Sequence, residues 1–389
     1  MKTKIILGLG YGDEGKGLTT DYLCRQAKHS LVIRFSGGHQ AGHTVVTPEG
    51  QRHVFSSFGS GTLWGVPTYW SRYCTLYPTA FVNEWDALRQ MNIEPDIFVD
   101  ARAMITTPYD VYYNRMTETD NQHGSCGVGV GATVERNEGP FKLYALDLCY
   151  PTVWQRKLNA IRNYYEQRKA AKFDQPGFRQ ILKDFAKAIE KLKNQIKIVH
   201  EAAFLASAKS TYDQLLFEGS QGILLDQDFG FFPNVTRAYV TSRNAMELIH
   251  NNMLPNPEIY YITRTYQTRH GNGFLSNETI PLDIQLNPLE TNQYNPWQGE
   301  QRRSPLDIDL LRYALDCDHN YSAGCRKHLV ITCLDQIKDM IPATLQHDLL
   351  QLRHTSELTE HLPYQFESVL ESWSEVGAGM RTMTTQTVS

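Results

Sequence analysis

The 389-residue chain contains no apolar run approaching the ~18 residues that a membrane span needs. It contains no C-x-x-C pair. Its seven cysteines (24, 74, 126, 149, 317, 325 and 333) are odd in number and scattered, which argues against a zinc site or a disulfide framework. Charge of one sign is also lacking. With 38 Lys and Arg against 42 Asp and Glu, the formal net charge is −4, without the basic excess of a dedicated nucleic-acid binder. Repeats and low-complexity tracts are missing, and 41% hydrophobic with 21% charged residues excludes a disordered, collagen-like or coiled-coil chain. Met1–Gly10 has two lysines and a short apolar stretch, but Asp13 and Glu14 follow at once where a secretory signal would stay apolar. The expectation is a reduced, cytoplasmic protein.

What is present is a strand–glycine loop–helix–strand pattern. Lys4–Leu9 reads as a buried strand running into glycines, Lys16–Ala27 as a helix and Leu31–Phe35 as the next strand, the unit of an α/β protein with parallel strands. Further buried strands are expected at Asp96–Val99, Gln214–Phe217, Ile259–Thr263 and His328–Thr332. Each ends near Gly, Asp or Arg, and such sheets bind ligands beyond the carboxyl ends of their strands. Trp154–Lys197 reads as one or two long helices broken near Gln175–Gly177. Its 12 basic against 4 acidic residues read as a solvated helical face, with a phosphate- or RNA-binding face as the alternative. Asn292–Gly299, polar and containing Pro296, reads as a loop, and the Thr-rich tail after Gly379 as frayed.

Two clusters carry chemistry. Gly10, Gly15 and Lys16 have the G-x-x-x-x-G-K spacing of a phosphate-binding loop, in which glycines let backbone N–H groups approach phosphate oxygens at a helix N-terminus. The Ser or Thr that would hold Mg²⁺ is replaced by Gly17, so Asp13 or Glu14 would have to supply the oxygen ligand. A glycine-rich turn with incidental acids is the alternative. The second cluster, Ser36-Gly37-Gly38-His39-Gln40-Ala41-Gly42-His43-Thr44, also follows a strand, and His39 or His43 could donate a proton near neutral pH.

Together these segments resemble the adenylosuccinate synthetase family of GTP-dependent ligases. The first is similar to its G-D-E-G-K-G motif and the second to G-G-x-x-A-G-H-T. Phe217-Glu218-Gly219-Ser220-Gln221 through Asp226, with Phe231 to Thr236, resembles F-E-G-A-Q-G-x-L-L-D…P-x-V-T. Thr268-Arg269-His270-Gly271-Asn272-Gly273 resembles T-R-V-G-x-G-P, and Thr332-Cys333-Leu334-Asp335 resembles T-K-L-D. The fold class that follows is α/β and P-loop NTPase-like: one domain over residues 1–389 with a large mostly parallel central sheet. Helical insertions include 151–200, and the C-terminal portion, 336–389, is shortened.

The resemblance implies phosphorylation of O6 of IMP by GTP, then attack by aspartate at C6. It makes Asp13 the base for N1 and a Mg²⁺ ligand, His43 the general acid, and the Gly42 carbonyl a second metal ligand. GTP would be held by Gly12, Asp13, Glu14, Gly15, Lys16, Gly17, Leu18, Gly42, Thr44, Arg303, Leu334 and Asp335, the last reading guanine N1 and N2. IMP would be held by Asp13, Glu14, Gly15, Lys16, Gln40, Ala41, Gly42, His43, Ser125, Cys126, Gln221, Thr236 and Arg302. A homodimer is implied, and neither nucleic acid nor a membrane is an expected partner.

Departures cluster in the amine-binding region. Trp297-Gln298-Gly299-Glu300-Gln301-Arg302-Arg303 stands where the family has T-T-G-R-x-R-R, so two threonines are lost and Glu300 reverses a charge. Ser125-Cys126 replaces a threonine pair, Cys333 replaces a lysine, and Arg136 is the nearest candidate for an arginine lent by the partner subunit. Glu375–Gly379 is only loosely similar to the terminal S-V-G-P-G. Either the substrate loop is repacked around aspartate, or the chain uses another amine or purine nucleotide with the same activation chemistry. A GTP sensor without catalysis is a third reading, against which the retention of Asp13 and His43 speaks.

Overall fold

The computed structural model describes residues 1–121, 124–169, 173, 175–288, 290, 294–295, 297, 299–373 and 379–383. The strands that build the site are β1 (Lys2–Gly8), β2 (Ser30–Arg34), β3 (Thr68–Trp70), β4 (Ile97–Asp100), β5 (Lys197–Val199) and β6 (Gln214–Gly222). They continue with β7 (Glu258–Arg264), β8 (Gln267–His270), β9 (Gly299–Ser304), β10 (Arg326–Thr332), β11 (Ser368–Ser372) and β12 (Met380–Met383).

All but β8 and β9 form one ten-stranded sheet in the order β12-β11-β10-β7-β1-β6-β2-β3-β4-β5. Every neighbouring pair is parallel except β11 with the edge strand β12. This is the large mostly parallel sheet of an α/β fold. Its central strands are buried on both faces, so they read as continuous apolar runs. Alternation sorts them: Ile5, Leu7, Leu31, Ile33, Leu215 and Phe217 pack on one side with Leu205, Leu248 and Leu315 from helices 201–211, 243–251 and 308–319. Ile6, Val32 and Leu216 pack on the other, under Leu18 and Leu23 of helix Lys16–Cys24.

A second apolar cluster unites Phe81 and Leu88 of helix Pro78–Gln90 with Trp154 and Ile161 of helix Pro151–Lys169 and Phe185 and Ile189 of helix Pro176–Leu192. Much of the basic excess here is matched by nearby carboxylates, including Lys157 with Asp147 at 2.6 Å, Arg168 with Glu135 at 2.7 Å and Lys191 with Asp86 at 2.5 Å.

Four departures from the sequence reading are local. The three-residue strands β3 and β5 are too short to show a period, and β5 begins at Lys197, the last residue of the stretch read as helix. The stretch read as a loop at 292–299 holds a short strand, Tyr294–Asn295, pairing with Gly299 and Glu300 of β9, which in turn pairs antiparallel with β8. Residues 380–383, read as frayed, are the edge strand β12; 374–378 and 384–389, and with them most of the Glu375–Gly379 motif, lie outside the described residues. The helix begun at Lys16 ends at Cys24 rather than Ala27.

Candidate active site

The site forms where loops leave the carboxyl ends of β1, β2, β6, β7 and β10. Three non-glycine residues there have positive φ: Asp13 (63°) after β1, Gln221 (59°) at the end of β6 and Cys333 (63°) after β10. Backbone strain held by several packed neighbours concentrates where function resides.

The loop after β1 closes around its own carboxylate. Gly10 N and Gly12 N donate to Glu14 Oε1 at 3.0 and 2.8 Å, and Lys16 Nζ donates to Glu14 Oε2 at 2.6 Å, with both charges buried. Thr332 Oγ1, at the end of β10, donates to the Glu14 carbonyl at 2.7 Å. The missing Ser or Thr at Gly17 has a packing reason: a Cβ there would lie 2.7 Å from the His43 Cβ. The second loop therefore sits directly on the first turn of the helix.

His43, buried at the start of strand His43–Val46, places Nδ1 2.7 Å from Glu218 Oε1. Glu218 is wholly buried in β6, in register with Ile6 on one side and Arg34 on the other, and accepts from Ser60 N and Ser60 Oγ. Burial pulls His43 below its ordinary range, with Glu218 opposing. Burial would raise Glu218, but the His43 hydrogen bond and charge, Arg34 and Ser60 outweigh it and hold the carboxyl below its usual value. The motif containing Glu218 is visible in the sequence, yet its pairing with His43 is not. The available signal is a carboxylate directly after the apolar run 215–217.

Asp13 meets the antiparallel β8–β9 pair. His270 Nε2 lies 3.1 Å from Asp13 Oδ2, Gln301 Nε2 approaches the same oxygen at 3.5 Å, and Thr268 Oγ1 donates to the Gly12 carbonyl at 3.3 Å. Arg264 Nε donates to the Asp13 carbonyl. Burial acts to raise the Asp13 carboxyl, but the His270 hydrogen bond and the Arg264 and Lys16 charges bring it below its ordinary value. His270, Gln301 and Arg264 are the residues that sequence reasoning missed.

The purine-side candidates surround this centre. Gln221 lies against Gly12, where a Cβ would be 3.8 Å from the Gln221 Cα. Both amide atoms of Gln40 and Oε1 of Gln221 are buried without a protein partner, and such groups need a ligand or water to complete them. Ser125 Oγ accepts from Asn114 Nδ2 at 2.9 Å, and burial pushes the Cys126 thiol up to about 11. Their loop abuts the turn after β8, where a Cβ on Gly124 would lie 3.1 Å from Asn272 N. Thr236 is half-buried, its N–H donating to the Leu225 carbonyl at 2.8 Å. Asp335 follows β10 in the turn Leu334–Gln336, its carboxyl raised chiefly by burial.

Other candidates stand apart. The Leu18 side chain packs into the core beneath the sheet. Arg302 lies on the far face of β9, its guanidinium committed to the Gly271 and Gly273 carbonyls at 3.0 and 2.8 Å and to Glu278 at 2.8 Å. Glu300 shares that face and is exposed, so it does not reverse a charge beside the loop after β1. Arg303, on the near face with Gln301, keeps Nε buried without a partner. Arg136 is wholly buried and paired with Asp110 at 2.8 Å, which rules it out as an arginine offered to a partner subunit.

The adenylosuccinate synthetase family model matches residues 5–385. The adenylosuccinate synthetase of Buchnera aphidicola subsp. Schizaphis graminum is 31% identical over 360 residues, covering 89% of this chain and 80% of that protein. That of Helicobacter pylori strain P12 is 28% identical over 384 residues, covering 97% and 90%. The fully ligated adenylosuccinate synthetase from Plasmodium falciparum superposes with a TM-score of 0.77 at 17% identity, over 98% of this chain and 99% of that one. The cyanophage S-2L succinoaminodeoxyadenylate synthetase, bound to dGMP and dATP, gives 0.64 at 15% identity, over 98% and 95%. At those identities the two structures speak for the fold, whereas the match along nearly the whole sequence decides the family: this chain belongs to the adenylosuccinate synthetases.

Proposed function

We propose that the chain is a GTP-dependent ligase that phosphorylates O6 of IMP and joins aspartate to C6, giving adenylosuccinate. The observation that carries this reading is the convergence of two acid–base units, the partly exposed Asp13 and the buried His43–Glu218 pair, on one glycine loop. Binding alone needs neither.

Asp13, held ionised, takes the N1 proton of the purine, which raises electron density on O6 for attack on the γ-phosphate. Glu218 accepts the Nδ1 proton of His43 and leaves Nε2 for the transferring group. An incoming triphosphate beside His43 acts against the effect of burial and raises its proton affinity, which suits the ring to a general-acid role. Lys16 and the loop amides hold phosphates, and Asp335 accepts from guanine N1 and N2. Phosphorylation turns a poor leaving oxygen into a good one, and the aspartate amine then displaces phosphate from C6.

Mg²⁺ fits the donor chemistry. No three or more His, Cys, Asp or Glu side chains gather into a metal site among the described residues. An ion held by one carboxylate and one carbonyl, with phosphate oxygens and water completing its shell, is the arrangement Mg²⁺ favours. Asp13 and the Gly42 carbonyl are the ligands we assign, and the ion would neutralise charge on the phosphates. The reading includes a homodimer and a cytoplasmic location. No described helix is long and apolar enough to cross a membrane.

The test is phosphate release from GTP with IMP and Mg²⁺, with and without aspartate, followed by the mass of the product. Aspartate-dependent release with the mass of adenylosuccinate is expected. Turnover only with another amine or another purine monophosphate would overturn the substrate assignment, and GTP binding without turnover would overturn the enzyme reading.

A further inference from the structure

We propose that His270 and Gln301 are positioning residues that clamp Asp13 from the antiparallel β8–β9 pair, fixing which of its carboxylate oxygens faces the purine. The inference rests on the reading of Asp13 as the base.

The two residues are direct partners across the antiparallel pair and reach the same atom, Asp13 Oδ2, at 3.1 and 3.5 Å. Neither contact occupies Oδ1. The strand pair cannot slide relative to the loop, because Thr268, two residues earlier on the same face of β8, is tied to the Gly12 carbonyl at 3.3 Å. On the other flank, Arg264 holds the Asp13 carbonyl. The His270 ring has no competing anchor: its Nδ1 is buried without a partner, so the bond to Asp13 sets the ring orientation. Asp13 needs such support, since its backbone is held at φ 63°, a conformation that side chains other than glycine adopt at a cost. Valine, which the T-R-V-G-x-G-P motif carries at this place, fits a strand but donates no hydrogen bond.

The experiment measures steady-state kinetics with GTP, IMP, aspartate and Mg²⁺ for wild type, His270→Val, His270→Gln and Asp13→Asn, with thermal unfolding to check that each is folded. Positioning partners of this kind typically change activity by about 10–100-fold. A loss of that size in kcat is expected for His270→Val, with the IMP KM nearly unchanged. His270→Gln, which keeps a donor at similar reach, should recover most of the loss. An unimpaired His270→Val, or a His270→Gln as slow as the valine variant, overturns the clamp. Turnover surviving in Asp13→Asn overturns the base assignment and the clamp with it, whereas an inactive Asp13→Asn beside an unimpaired His270→Val removes the clamp alone.

Discussion

His43 Nδ1 and Glu218 Oε1 lie 2.7 Å apart in a fully enclosed pair although 175 residues separate them in the chain. Arg34, in register with Glu218 on the adjacent strand and itself fully buried, supplies the balancing charge. A carboxylate so placed selects the imidazole tautomer and stabilises the cation that forms on it. Glu218→Gln removes the charge but keeps the shape, so kcat for phosphate release should fall by about 100-fold or more while the fold persists. Rapid-mixing phosphate assays check this, and a rate within a factor of a few of wild type would end the assignment.

Glu14 and Lys16 form a buried pair inside the loop that we read as the phosphate cradle. Breaking such a pair leaves one charge uncompensated, at a cost of about 3 kcal/mol. Glu14→Ala should therefore be markedly less stable than wild type, and GTP should raise its unfolding temperature by more than it raises that of the wild type, because phosphate oxygens take over Lys16 and the Gly10 and Gly12 amides. Thermal unfolding with and without GTP decides it; equal shifts would mean that phosphate does not replace the carboxylate.

Glu300 is exposed on the face of β9 opposite Gln301. Restoring the family's arginine by Glu300→Arg should leave stability within about 0.5 kcal/mol, as for other surface changes, and alter the aspartate KM little. A large gain in aspartate use would show that this edge turns into the site when substrate binds.

Asp318 is buried at the end of helix 308–319, where Oδ1 accepts from Ser242 N and Ser242 Oγ at 2.7 Å and Oδ2 from Tyr261 OH at 2.6 Å. Burial, offset in part by these bonds, pushes its carboxyl up to about 6. A carboxyl raised above its unfolded value contributes stability that is complete below that value and is lost as pH rises through about 6. The Asp318 contribution to the unfolding free energy should fall between pH 4 and pH 7 by an amount set by about 1.4 kcal/mol per pKa unit, against the opposite contribution of buried His43, and Asp318→Asn should remove that falling part from the measured slope. Denaturant titrations across this range measure it; identical slopes would remove Asp318 from the account.

The central strands β1, β2, β6, β7 and β10 were legible because burial on both faces leaves unbroken apolar runs, and the glycine loop because phosphate chemistry demands its spacing. Arg136 was misread because nothing local distinguishes a buried, paired arginine from an exposed one; Asp110 reaches it only after the helices pack. Glu300 was misread because a one-residue step along a strand exchanges faces, and the register of β9 against β8 is not written in either segment.

The sequence by itself determined the family, the α/β class, the loops that meet at the site and the identities of Asp13 and His43 within them. The class follows from composition and period, whereas the family is carried by the resemblance of motifs that lie in order along the chain. Tertiary structure alone decided the strand order, the joining of His43 to Glu218, the approach of His270 and Gln301 to Asp13, and the removal of Arg302 and Arg136 from the centre. Each of these is a contact between segments far apart in the chain. Its energy depends on burial, register and neighbouring charge, which exist only once the sheet has formed.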